Sequence, residues 1–222
     1  LTHAAYSSSV YTTQQEFANR LTAGLGAVLL AIGTALLITL ACLKGNAWHI
    51  VSCSIYGGTL FVLYLIATLY HSFTSARAKR FFETLDHSAI FLLIAGTYTP
   101  FTLVTLRGPW GWSLFGVVWG ISLMGIIYKI FFTGRHRVFS TLLYIGLGWM
   151  ALLAFKPLLS ALSPGGMVLL VLGGISYSLG TIFYHREKPY YSHAVWHLFV
   201  LAGSLFHYFA ILFYVLPLRG SV

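Results

Sequence analysis

Two histidines, His193 and His197, stand four residues apart in the segment H-A-V-W-H. On a helix that spacing puts both imidazoles on one face, close enough to share a cation. A third imidazole from a neighbouring helix would leave one tetrahedral position open for water, the arrangement of many catalytic zinc sites. His71 is the candidate third ligand, and Asp86 is the acidic residue that could work beside them. The plainer reading is a pair of hydrogen-bonded histidines near lipid head groups, since H-x-x-x-H also arises by chance in a histidine-bearing helix. Which reading holds depends on whether the chain brings these residues to one place.

Composition fixes the medium in which they meet. Hydrophobic residues make up 58% of the 222 and charged residues 8%, against about a quarter charged in a soluble domain. So few charges cannot build a water-exposed surface, so lipid must cover most of it. Crossing the hydrocarbon core takes roughly 20 apolar residues. Seven runs qualify, at about 22–43, 49–72, 86–106, 110–132, 138–156, 165–184 and 191–216. Lys44-Gly45-Asn46, Arg107-Gly108-Pro109, Arg135-His136-Arg137, Ser163-Pro164-Gly165-Gly166 and His185-Arg186-Glu187-Lys188-Pro189 break them, as expected where Pro cannot continue a helix and Gly tolerates a turn. The expected fold is an all-α, seven-transmembrane bundle of one domain, 22–216, with a polar N-terminal segment 1–21 and a short tail 217–222. The Ser- and Thr-rich start has no apolar signal segment, so insertion is expected to use the first span.

Lys and Arg residues set the orientation. Arg20, Arg77, Lys79, Arg80, Lys129, Arg135, Arg137, Arg186 and Lys188 fall on one side; Lys44, Arg107, Lys156 and Arg219 fall on the other. Positive charge stays cytoplasmic, so the N-terminus is expected inside and the C-terminus outside. The net charge of +9 then reads as an orientation and anionic-lipid signal, with no call for nucleic acid. Trp48, Trp110 and Trp112 fall at the outer boundary, where indoles favour the interface.

On this topology His71 closes the second span, Asp86 opens the third, and His193 and His197 open the seventh, all at the inner end. Ionisable residues in a bilayer are functional hypotheses by default. Asp86 fits two compatible roles, N-cap of the third helix or general base beside the metal. His87 lies about 100° around the helix from it and is read as structural. His207, ten residues beyond His197, sits too deep to join the ligands; a buried hydrogen bond is the preferred reading, a proton relay or substrate contact the sharper one. His3, His49, His136 and His185 receive no role. Gly96-Thr97-Tyr98-Thr99-Pro100 should bend the third span, for packing or to line a cavity. Cys42 and Cys53 are expected to be inert buried thiols, with a disulfide as the alternative.

L-Y-H-S-F ending at Phe73, L-D-H-S-A-I-F-L-L-I-A-G-T-Y-T-P-F from Leu85 to Phe101, and H-A-V-W-H-L-F-V-L-A-G-S-L-F-H from His193 to His207 resemble the hemolysin III family. That family is the bacterial branch of the progestin and adipoQ receptor superfamily. The resemblance implies seven helices in a bacterial inner membrane with the N-terminus inside, Zn2+ on His71, His193 and His197, and the family's aspartate at Asp86. It also brings a likeness to alkaline ceramidases, which hydrolyse lipid amides. Two positions depart from the pattern. Ala67 stands where the family commonly has Ser, leaving Thr68 as the candidate hydroxyl. The first-helix pattern E-x-x-N-x-x-S-H is matched at Glu16 and Asn19, with Thr22 for Ser and Ala23 for His.

Two functions are therefore expected. One is a zinc-dependent intramembrane hydrolase of a lipid amide or ester that takes membrane lipids as substrate. The other is a non-enzymatic sensor or receptor-like protein in which zinc is structural. Pore formation and transport have less support, since no charged pore-lining ring and no inverted repeat are visible.

Overall fold

The computed structural model describes residues 11–186 and 190–217. Within them, seven helical spans are long and apolar enough to cross a membrane. They comprise α1 (Thr13–Lys44), α2 (Ala47–Tyr70), α3 (Ala76–Pro100), α4 (Pro109–Phe132), α5 (Arg137–Gly148) with α6 (Phe155–Ala161), α7 (Pro164–His185) and α8 (Ser192–Tyr214). Every helix is packed against its sequence neighbour or one beyond. A circuit of contacts runs from α1 through α2, α3, α5, α7 and α8 back to α1, with α4 laid against α3. The outer surface is apolar: Leu43 is 71% and Phe131 73% exposed, which lipid favours and water would not.

Two helices begin earlier than hydropathy places them. The first starts at Thr13 rather than 22, held by a capping box in which the Thr12 hydroxyl accepts from Gln15 N and the Gln15 side chain accepts from Thr12 N. At 32 residues α1 is about 48 Å long, well beyond the roughly 30 Å hydrocarbon core. The third starts at Ala76 rather than 86, capped by Ser75, whose hydroxyl accepts from Ala78 N. Arg77, Lys79 and Arg80 are thus helical, and Asp86 lies ten residues inside α3 and caps nothing. Hydropathy detects only the part of a helix that lipid touches, so polar extensions read as loops.

Two interruptions have local causes. The third span continues through Pro100 into a π-helical segment, Phe101–Thr105. The Thr97, Thr99 and Thr102 hydroxyls donate back to the Leu93, Ala95 and Tyr98 carbonyls around it. The fifth span breaks where the sequence suggests one continuous helix. A 3-10 segment, Trp149–Ala154, separates α5 from α6, as Pro157 lacks an N–H and crowds the preceding turn. Tyr98 repairs the break from α3: its hydroxyl donates to the Gly148 carbonyl at 2.8 Å and accepts from Ala151 N at 2.7 Å. Between the π-helical segment and α4 only Leu106-Arg107-Gly108 remains, and the turn uses Gly108 at φ 141°, a conformation that only glycine adopts easily.

Away from the site, Trp48 meets Trp112 edge to face at 5.9 Å, with Arg107 over the Trp48 ring. Cys53 is buried, but Cys42 is exposed on α1 and both are free thiols. The expectation of two buried cysteines therefore holds for Cys53 alone.

Candidate metal centre

His71 sits where α2 ends. Its backbone N–H still bonds the Ala67 carbonyl at 3.1 Å, and the chain then turns away at Ser72 and Phe73. His193 and His197 occupy the first two turns of α8. Packing of α1 between α2 and α8 brings the three rings together. Their centroids are 5.1 Å (His71–His193), 5.2 Å (His71–His197) and 4.7 Å (His193–His197) apart. One ring nitrogen from each lies within 4.8 Å of the others, and His71 and His197 are buried.

The polar start of α1 orients two of these rings. Glu16 Oε2 lies 2.6 Å from His71 Nδ1. A carboxylate can only accept there, so Nδ1 carries the proton and Nε2 presents its lone pair. His197 Nδ1 lies 3.2 Å from the Asn19 carbonyl and 3.0 Å from Thr22 Oγ1. The carbonyl again accepts only, which fixes the same tautomer. Asn19, Ala23, Gly26 and Leu30 form the buried stripe of α1 that docks this face. Glu16 is braced in turn by Lys79 Nζ at 2.5 Å, and Lys79 also donates to the Tyr70 carbonyl and lies over the Tyr70 ring. The glutamate thus ties α1, α2 and α3 together at the level of the histidines.

Fit to a cation can be judged from the atoms left over. His71 Nε2, His193 Nδ1 and His193 Nε2 are buried without a hydrogen-bond partner. Each such atom costs about 1–3 kcal/mol unless something satisfies it, and all three belong to the same cluster. Burial lowers the His71 pKa, opposed by the Glu16 hydrogen bond and charge, a direction that favours the unprotonated Nε2 a metal would need. A set of imidazoles alone suits zinc, copper, iron or nickel. The residues fit.

The pattern of the family described as "Haemolysin-III related" matches residues 11–208. The chain belongs to the hemolysin III family. It is 50% identical to Hemolysin-3 of Bacillus cereus over 92% of this chain and 93% of that protein. It is 47% identical to the Hemolysin-3 homolog of Bacillus subtilis (strain 168) over 92% and 96%. The human monocyte to macrophage differentiation factor is 26% identical over 81% of this chain and 76% of its own length, a distant likeness that supports the wider superfamily. No solved structure matches significantly. With its seven apolar spans, this hemolysin III protein is an integral, multi-pass membrane protein.

The remaining candidates divide. Asp86 is outside the ligand group but within electrostatic range of Tyr11, Tyr70 and Tyr184. Each of those phenols has its ring against a histidine of the cluster: Tyr11 and Tyr184 at 5.1 and 6.2 Å from His193, Tyr70 at 4.7 Å from His71. Thr68 donates its hydroxyl to the Tyr64 carbonyl at 2.7 Å, and its methyl faces Gly24 of α1. His207 Nε2 lies 3.1 Å from the Leu170 carbonyl, and its ring lines the intramembrane cavity. His87 is held by the Tyr184 hydroxyl, and its carbonyl accepts from Tyr144. His49 completes the Asn46 capping box, His136 meets the Tyr128 hydroxyl, and His185 meets Thr141. His3 lies outside the described residues.

Sequence reasoning named Glu16, Asn19 and Thr22 as parts of a pattern without assigning them work; the missing signal was that α1 extends past the bilayer. Tyr11 was overlooked altogether, because an isolated tyrosine in a polar tail announces nothing. Burial raises its phenol pKa, so it stays a neutral donor beside His193. Glu16→Gln should weaken zinc binding roughly 10–100-fold, measured by chelator competition; unchanged affinity would deny Glu16 its orienting role.

Proposed function

We propose that this protein is a zinc-dependent hydrolase of a lipid amide or ester, working at head-group depth within the membrane and contributing to lipid homeostasis. The observation that carries the reading is the trio of imidazoles, in which the buried His71 Nε2 and both His193 nitrogens have no protein partner. Three histidines and an open position suit catalytic zinc. Zinc at such a site polarises a carbonyl and makes water acidic enough to ionise near neutral pH.

The chain's own residues would do the rest. Glu16, Asn19 and Thr22 hold the His71 and His197 rings in register. Asp86 takes the proton from the attacking water at its carboxylate and returns it to the leaving amine or alkoxide. Tyr11 and Tyr184 wall the site and thin the water around it. The lipid's acyl chain would occupy a cavity of about 110 Å³ between α3, α5, α7 and α8, lined in part by His207, by Trp196 and by Tyr184, whose ring is 6.2 Å from that of His193. The proposed orientation keeps the N-terminus cytoplasmic, with the site in the inner leaflet.

A second reading, structural zinc in a sensor, draws on the Thr68 hydroxyl being bonded back to its own helix. It needs a fourth protein ligand, and the described cluster supplies three. The test is release of fatty acid by zinc-loaded protein from a panel of acyl lipids, abolished by chelation and restored by zinc. Full zinc occupancy with no release across the panel would favour the sensor.

A further inference from the structure

Beside the histidine cluster, on its polar side, lies a cavity of about 330 Å³ that neither the metal nor an acyl chain needs. Its walls include Tyr11, Gln15, Arg137, Arg186 and Ser192, and His193 forms part of its floor. Two of the lining residues are arginines, and no Asp or Glu lines it among the described residues. Glu16, the nearby carboxylate of α1, is already tied to His71 and Lys79.

Arg137 is held in place. Its guanidinium donates to the Tyr184 carbonyl and stacks 4.3 Å over the Tyr184 ring. A guanidinium has five N–H donors, so donors remain for a ligand. Ser192 and His193 open the 23-residue helix α8, which has no side-chain cap, so the positive end of the helix dipole adds to the field. Tyr184 is the shared wall, lining both this cavity and the apolar one. A single molecule can therefore lay a hydrocarbon chain on one side of Tyr184 and an anion on the other, with its linkage beside His193.

We propose that this cavity receives the phosphate of an acyl phospholipid, and that the centre acts on phosphate-bearing lipids rather than neutral ones. Two arginines, the half-braced Arg137 and the exposed Arg186, lining one space beside a helix N-terminus suit a tetrahedral oxyanion with several acceptor oxygens. The binding half of this inference needs only the geometry; the substrate half rests on the hydrolase reading above.

The experiment uses zinc-loaded full-length protein in detergent. Binding of dioctanoyl phosphatidic acid is compared with dioctanoylglycerol, which has the same chains and no phosphate, and with inorganic phosphate. Charge-assisted hydrogen bonds to the phosphate should favour phosphatidic acid by about tenfold or more. R137Q/R186Q should erase that preference with zinc content unchanged, and R137K/R186K should keep much of it. Equal affinity for the two lipids, or a preference that survives R137Q/R186Q, overturns the inference. Inorganic phosphate binding as tightly as the lipid overturns the lipid as its source. Acyl release is followed in the same samples: head-group preference without release sinks the hydrolase reading and the substrate half with it but leaves the phosphate site standing, and release without preference sinks the phosphate site alone.

Discussion

His193→Ala is expected to strip the purified protein of bound zinc, from about one ion per chain to background, because two imidazoles do not make a zinc site of useful affinity. Of the three candidates this residue gives the cleanest result. His71 and His197 each carry a second bond, to Glu16 and to Asn19 and Thr22, so their removal also strands a partner. Both His193 nitrogens are unpartnered, so alanine there breaks no hydrogen bond within the protein. Folding can be separated from ligation by melting in chelator. Metal-free wild type and variant should unfold at similar temperatures, and added zinc should raise only the wild type, since a ligand stabilises the state that binds it. Wild-type zinc in the variant would remove His193 from the ligand set.

Asp86→Asn should give the complementary result: full zinc, lost turnover. The side chain keeps its size, and Asp86 does not belong to the ligand group, so metal content and melting should match wild type. What disappears is a carboxylate able to take a proton, worth roughly 10²–10⁴ in rate. Acyl release at wild-type speed would eliminate Asp86 as the base. Loss of zinc together with activity would instead make it a ligand or its support.

The histidines were legible because their types are rare in lipid and their depths coincide; hydropathy alone brought His71, His193 and His197 to one level. Of the two roles read for Asp86, the helix cap is excluded. The helix it belongs to starts at Ser75 and Ala76, in a stretch whose charges look like a loop. The same blindness hid the contribution of Glu16, whose partners Lys79 and His71 are 63 and 55 residues away and leave no local pattern. The broken fifth span could have been suspected from Pro157. Its repair by Tyr98 could not, since one hydroxyl reaching three backbone groups of another helix is a fact of packing alone.

The junction of α1 with α8 has a bearing on how the molecule is made. The ring at 197 meets its supports at 19 and 22, and the ring at 193 comes beside the one at 71, only when the seventh span lies against the first. A chain halted before its final crossing holds one imidazole of three. An ion captured there would mark a bundle whose two ends have found each other, locking shut a structure that no earlier stage of insertion can close.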